Sequence, residues 1–273
     1  MKKTVIGAIA LLGALAVNPV SAKETISAVG SSSVTPLMEV FSETYMKKNS
    51  DVFIEVQGPG SSAGIKAAKN GSADIGMSSR NLKDSEKESN LVEEVIARDG
   101  IAVVVNPSNK VKGLTAEQVS AIYKGEVSNW KEVGGEDKPI VAITRDTASG
   151  TRGAFEEIME LKMKVSGKTV SAISQRAQVA NGNGGLKTMV ASNPYAIGYI
   201  SLGTVDNSVH ALAIDGVNAS VDNVKSGSYK VARPFLVLYK KGQPSAETQK
   251  FLDWMLTDEA QEIVGSHHYI SVK

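Results

Sequence analysis

The chain contains no cysteine in its 273 residues. Disulfides, thiolate metal sites and a lipid anchor on an N-terminal cysteine are therefore excluded. Histidine is scarce, with three residues, and two of them, His267 and His268, are adjacent and poorly placed to share one ion. The run Asp215-Gly216-Val217-Asn218 lacks the rest of a calcium loop, so no metal site and no cofactor is expected. Charge of either sign is not in excess: 30 lysines and arginines face 29 acidic residues, a net charge of +1. That balance offers no footprint for nucleic acid or an anionic membrane. Internal repeats and low-complexity segments are absent too.

One apolar run stands out, and it is short. It covers 5–17, follows Lys2 and Lys3, and is broken by Pro19 ahead of the small-residue stretch Val20-Ser21-Ala22. A bilayer crossing takes about 20 apolar residues. Residues 1–22 therefore read as a secretory signal peptide removed after Ala22. Loss of two lysines takes the net charge from +1 to −1. With no lipid anchor the mature chain is expected free in solution, and a free exported protein is retained only where an outer membrane encloses it. A Gram-negative periplasm is the expected location.

What remains has the make-up of a soluble globular protein, 42% hydrophobic and 22% charged. Its length allows one or two domains. Period-2 stretches at 25–29, 51–57, 73–77, 92–105, 139–144, 195–200, 209–214 and 231–239 predict strands. Helical spacing appears at 34–48, 65–69, 115–124, 154–161, 186–191 and, as one long amphipathic helix, at 247–264. Thr115-Ala116-Glu117-Gln118 has the form of a capping box. Residues 81–90 are polar and read as a solvated helix or loop. The alternation of strands and helices predicts an α/β architecture with open sheets. Two apolar segments, 101–105 and 235–238, are candidates to cross between lobes.

In open α/β sheets, ligands lie at the carboxyl ends of strands, against helix N-termini. Hydroxyls stand at four such junctions: Ser31, Ser32 and Ser33; Ser61 and Ser62; Ser78 and Ser79, followed by Arg80; and Arg145 followed by Ser149, Gly150 and Thr151. Any one group reads equally as a helix N-cap. Their recurrence at four junctions, twice with an arginine, points to an oxyanion. Helix N-termini supply unpaired N–H groups and partial positive charge, hydroxyls donate, and guanidinium forks match oxyanions.

These same residues resemble a known family, the phosphate-binding receptors of bacterial phosphate ABC transporters. The similarity is carried by Gly30-Ser31-Ser32-Ser33-Val34, Gly60-Ser61-Ser62-Ala63-Gly64, Gly76-Met77-Ser78-Ser79-Arg80, the stretch from Asp99 to Asn106, and Arg145-Asp146-Thr147-Ala148-Ser149-Gly150-Thr151. Leu114-Thr115-Ala116-Glu117-Gln118, the stretch from Asn129 to Gly135, and Ala196-Ile197-Gly198-Tyr199-Ile200 support it. The resemblance implies a two-lobed, type II-like periplasmic-binding-protein fold with two hinge crossings and phosphate in the interlobe cleft. The lobes are expected at 23–104 plus 234–273 and at 105–233. It also implies a monomer that delivers inorganic phosphate to a membrane ABC permease. Carried over residue by residue, the phosphate ligands are Ser32, Ser33, Ser61, Arg145, Ser149, Gly150 and Thr151, Gly150 acting through its N–H.

One position departs from the family pattern. Ser79, followed by Arg80, stands where well-known members place an aspartate that accepts the proton of bound phosphate. Ser79 is a weaker acceptor, and Arg80 cannot accept at all. The charge-based rejection of sulfate does not carry over with it. Arg80 is expected to join Arg145 in neutralising the anion.

Two other readings are open. Gly60-Ser61-Ser62-Ala63-Gly64 satisfies Gly-x-Ser-x-Gly, the nucleophile elbow of serine hydrolases, with Ser62 as nucleophile and His210, His267 or His268 as base. Alternatively, the same fold serves an oxyanion binder not coupled to any transporter.

Overall fold

The structure is a computed structural model and describes residues 23–273. The expected signal peptide, 1–22, lies outside them. Strand β1 (Glu24–Gly30) leads through a serine turn into helix α1 (Thr35–Lys48), then β2 (Val52–Gln57), α2 (Ser61–Asn70) and β3 (Ile75–Ser78). A single strand of 15 residues follows, β4 (Leu91–Val105). Next come β5 (Gly113–Leu114), α3 (Ala116–Lys124), β6 (Val141–Arg145), α4 (Gly150–Ile158), β7 (Lys162–Val165), β8 (Lys168–Ser171), β9 (Gln178–Ala180) and α5 (Gly182–Ala191). The chain closes with β10 (Ala196–Ser201), β11 (His210–Ala211), β12 (Ala213–Ile214), α6 (Val221–Lys225), β13 (Ala232–Lys240), α7 (Ala246–Met255) and α8 (Asp258–Ser266).

The main sheet runs β2-β1-β3-β13-β4-β10-β6-β9, with β11 also on β4. Its two halves meet on β4. Residues Leu91 to Gly100 pair antiparallel with β13, and Ile101 to Val105 pair antiparallel with β10. At the change of partner the carboxyl-terminal tail joins in, Arg98 and Ile270 exchanging backbone hydrogen bonds of 2.8 and 2.9 Å.

Apolar burial divides the molecule the same way. One cluster gathers Ile26, Leu37, Phe41, Ile75, Ala97, Phe235 and Phe251; another gathers Ile101, Val103, Val105, Trp130, Phe155, Tyr199 and Val231. These are the cores of two lobes. On β4, Ile101 and Val103 pack with the second cluster. On β13, Val231 packs with the second cluster, and Phe235 and Val237 pack with the first.

Local signals account for most elements. The turn of α3 forms its capping box: Gln118 N–H donates to Thr115 Oγ1 (3.1 Å), and Thr115 N–H donates to Gln118 Oε1 (2.8 Å). The expected helix 247–264 is two helices. Thr257 interrupts it, capping α8 through the Ala260 N–H, with Asp258 and Glu259 in the first turn. The strand expected at 209–214 is split, β11 pairing with β4 and β12 with β5. The β7–β8 hairpin was not anticipated; it turns at Ser166-Gly167, both with positive φ. Residues 81–90 hold only a single 3-10 turn, Asp84–Glu86.

Candidate functional site

Four helices begin at one place between the lobes. The turn before α1 brings Ser32 and Ser33, the first residue of α2 is Ser61, α4 opens with Gly150 and Thr151, and Asn183 lies in the first turn of α5. Ser79 follows directly after β3, and Arg145 ends β6. Hydrogen bonds show how tightly these meet. Ser33 Oγ and Thr151 Oγ1 are 2.8 Å apart. Asn183 Nδ2 donates to Ser33 Oγ (2.9 Å), and its Oδ1 accepts from Arg145 Nη1 (3.1 Å). Arg145 Nη2 donates to Ser32 Oγ (3.1 Å). Ser31 Oγ donates to Ser79 Oγ (2.8 Å), and Ser79 N–H donates to Ser61 Oγ (3.0 Å). Farther along the cleft, Ser62 N–H donates to the Ala148 carbonyl (3.1 Å).

Two glycines make this approach possible. A Cβ on Gly150 would sit 2.0 Å from Ser61 Oγ and 2.6 Å from Ser79 Oγ. Gly60, at φ +119°, would place a Cβ 2.9 Å from the Ala148 carbonyl oxygen.

Arg145 is the electrostatic centre. Its side chain is buried, and its Nε has no hydrogen-bond partner. Among the described residues no carboxylate forms an ion pair with it; its partners are hydroxyl and amide oxygens. Burial pulls the guanidinium below the ordinary arginine range, against the opposing pull of Asp146 and Tyr199. Behind it, Tyr199 stacks on Phe155 with centroids 3.9 Å apart, and its hydroxyl takes the Arg145 N–H (3.3 Å). Burial pushes the Tyr199 phenol up to about 12, so it stays neutral.

Of the residues expected from the sequence, Ser32, Ser33, Ser61, Ser79, Arg145, Gly150 and Thr151 come together. Ser149 stands at the edge: its Oγ caps α4, accepting from the Arg152 N–H (3.2 Å). Arg80 does not join Arg145. Its guanidinium is engaged by Glu86, with Nη1 at 2.7 Å and Nη2 at 2.8 Å from the two carboxylate oxygens. It lines a separate cavity of about 840 Å³ beside the cluster, together with Lys83, Arg152 and Thr169. The Ser62 hydroxyl lies 3.4 Å from Arg80 Nη2, and among the described residues no histidine bonds to it.

Two participants escaped the sequence reading. Asn183 sits in a glycine-asparagine stretch, Asn181 to Gly185, that resembles a plain loop. Arg233 reaches the cluster from β13: its Nη1 donates to Ser79 Oγ (3.2 Å) and Ser79 O (3.3 Å). Its Nε and Nη2 hold Asp99 Oδ2 at 3.2 and 2.9 Å. The usable signal was a charge of each sign, Asp99 and Arg233, set inside two apolar strand patterns.

Residues 17–259 match the family model described as a PBP superfamily domain. A phosphate-binding protein PstS from Bacillus subtilis is 32% identical over 92% of this chain and 82% of its own length. Among solved structures, a phosphate ABC transporter substrate-binding protein with bound phosphate from Clostridium perfringens is 45% identical, with a TM-score of 0.87 over 92% of this chain and all (100%) of that one. An ABC-type phosphate transport receptor from Vibrio cholerae is 40% identical, with a TM-score of 0.77 over 90% and 99% of the two chains. The chain belongs to the PBP superfamily, and within it to the family of the PstS phosphate-binding proteins.

Proposed function

We propose that the protein binds inorganic phosphate between its lobes and delivers it to a membrane ABC permease. The observation that carries this reading is Arg145, a buried guanidinium with hydroxyl and amide neighbours and, among the described residues, no carboxylate partner. A buried charge is costly unless it is paired. Here the turn before α1 and the first turns of α2, α4 and α5 bring hydroxyls and an amide to the same place as the guanidinium, so the partner that fits is a compact anion with oxygens in several directions. The names of the relatives supply phosphate as that anion.

Closure and binding are then one event, since donors from both lobes meet the anion only when the lobes touch. The lobes of this reading divide near 98–100 on β4 and near 232–234 on β13. The protein acts as a monomer in the periplasm, exported by residues 1–22, and the closed shape is what the permease reads. It is a receptor and no enzyme: Ser62 faces an arginine where a hydrolase needs a base.

Mass spectrometry under native conditions tests the reading. The purified protein is expected to carry one phosphate, which Arg145→Ala loses by a drop in affinity of about 100-fold, the scale of charge-assisted hydrogen bonds. Sulfate retained in preference to phosphate, or no anion at all, would overturn it.

A further inference from the structure

We propose that Arg233 is the second cationic group acting on the bound anion, in the place expected for Arg80, and that it acts through Ser79 as a positioning residue. This rests on the oxyanion reading of the cleft and names a further determinant of the same site.

The other arginines around the cleft are engaged elsewhere. Arg80 is held by Glu86. Arg152 donates from Nε to Glu156 (2.7 Å), from Nη1 to the Arg145 carbonyl (2.7 Å) and from Nη2 to Ser171 Oγ (3.2 Å). Arg233 alone among these three turns an arm to a side-chain hydroxyl of the cluster. Both Arg233 and Asp99 are buried, at 4% and 0% exposure, so little water screens them.

The contact fixes what Ser79 can do. A serine hydroxyl has one proton to give and two lone pairs to receive with. Ser79 Oγ receives from Ser31 Oγ at 2.8 Å and from Arg233 Nη1 at 3.2 Å. Both lone pairs are occupied, and the proton is left to point outward. The remaining hydroxyl contact, to Ser61 Oγ, is 3.4 Å, which is long for such a bond. Ser79 is thereby set as a donor beside Gly150, where an anion oxygen would find it.

The ion pair is also oriented. Its positive arm, Nη1, lies on Ser79, and its negative end, Asp99, lies on the far side of the guanidinium. In a low-dielectric interior such a dipole acts over a longer range than at the surface. Arg233 already bears on Arg145: after burial it is the other influence that lowers the Arg145 guanidinium. A buried ion pair is a weak source of stability, because desolvation offsets the attraction. A role in holding Ser79 gives the pair a use that stability does not.

The pair sits on the strands where the lobes join. Arg233 and Asp99 face each other across the β13–β4 ladder, one residue before the Ala232–Gly100 pair that ends it. A pull on Ser79 by the anion is therefore felt where the lobes turn on one another.

The test measures phosphate affinity by calorimetric titration and thermal stability without ligand, in wild type, Ser79→Ala, Asp99→Asn/Arg233→Met and the triple variant. Replacing both charges leaves no lone charge in the core. Affinity is expected to fall by about tenfold in the Asp99→Asn/Arg233→Met protein, the scale of one charge-assisted hydrogen bond, at a melting temperature close to wild type. Adding Ser79→Ala to it should cost less than Ser79→Ala alone, since the two act in series. Arg233→Lys is the second variant, because it keeps the charge but loses the planar fork that bonds Asp99 and Ser79 from opposite sides, and it weakens binding by less. Wild-type affinity in either folded variant, or effects of Ser79 and the pair that simply multiply, overturns the inference while leaving phosphate binding intact. A wild-type protein that takes no phosphate overturns both together.

Discussion

Ser33 and Thr151, 118 residues apart in the chain, share a hydrogen bond of 2.8 Å from one lobe to the other. Asn183 extends the link by donating to the same Ser33 oxygen. These groups hold one lobe to the other and also line the cradle. Ser33→Ala and Thr151→Ala are each expected to weaken phosphate binding about three- to tenfold, the worth of an ordinary hydrogen bond. The loss should lie mainly in faster release. Stopped-flow dissociation of the two single variants and the double variant checks it, the double being less than the product of the singles if the two act as one latch.

Gly150 sets the floor of the cradle. Any side chain there collides with Ser61 and Ser79, and relieving the collision moves either those serines or the first turn of α4 out of the cradle. Gly150→Ala is expected to reduce phosphate affinity by about 10- to 100-fold, the range for forcing one methyl into a packed site. Far-ultraviolet circular dichroism should remain that of the wild type. Unimpaired binding in titration would show that α4 does not approach the anion.

Arg80 and Glu86 form a structural clamp beside the cleft. Arg80→Ala should leave phosphate affinity within about threefold of wild type, because no anion ligand is removed, while melting temperature falls. Burial pushes the Glu86 carboxyl up, but hydrogen bonds from Arg80 and from the Lys83 amide, with the charges of Arg80 and Lys83, outweigh it and hold the group below the ordinary glutamate range. A carboxyl depressed on folding stabilises above its unfolded value and loses that contribution as pH falls through its folded value. The stability advantage of wild type over Glu86→Gln is therefore present at neutral pH and shrinks below about pH 4. Denaturant titrations across that interval measure it.

Scattering reports the lobe motion directly. The radius of gyration is expected to decrease when phosphate is added to protein freed of anion, and Arg145→Ala should remove the change. Unchanged dimensions in wild type would mean that the lobes touch regardless of ligand.

How far the sequence could be read depended on where each signal resides. Hydroxyls at Ser32, Ser33, Ser61 and Thr151 announce themselves because strand-to-helix junctions are local, and an open sheet gathers its junctions at one end. The capping box at Thr115 was legible for the same reason. Arg80 misled because a side chain's partner is a tertiary matter: Glu86 lies six residues on, inside a stretch that reads only as solvated. Asn183 was hidden by its glycine neighbours, and Arg233 by distance, since its partners Ser79 and Asp99 stand 154 and 134 residues away. Thr257 carried a cap signal that the longer amphipathic period around it masked.

Strand β4 passes from one lobe into the other without a break, bonded to neighbours along both halves. Such a connection cannot act as a loose tether, and it cannot unzip in one lobe without disturbing the register in the other. Bending has to be distributed as twist over several peptide units. Heat should accordingly dismantle the whole molecule in a single calorimetric step, with equal van't Hoff and calorimetric enthalpies.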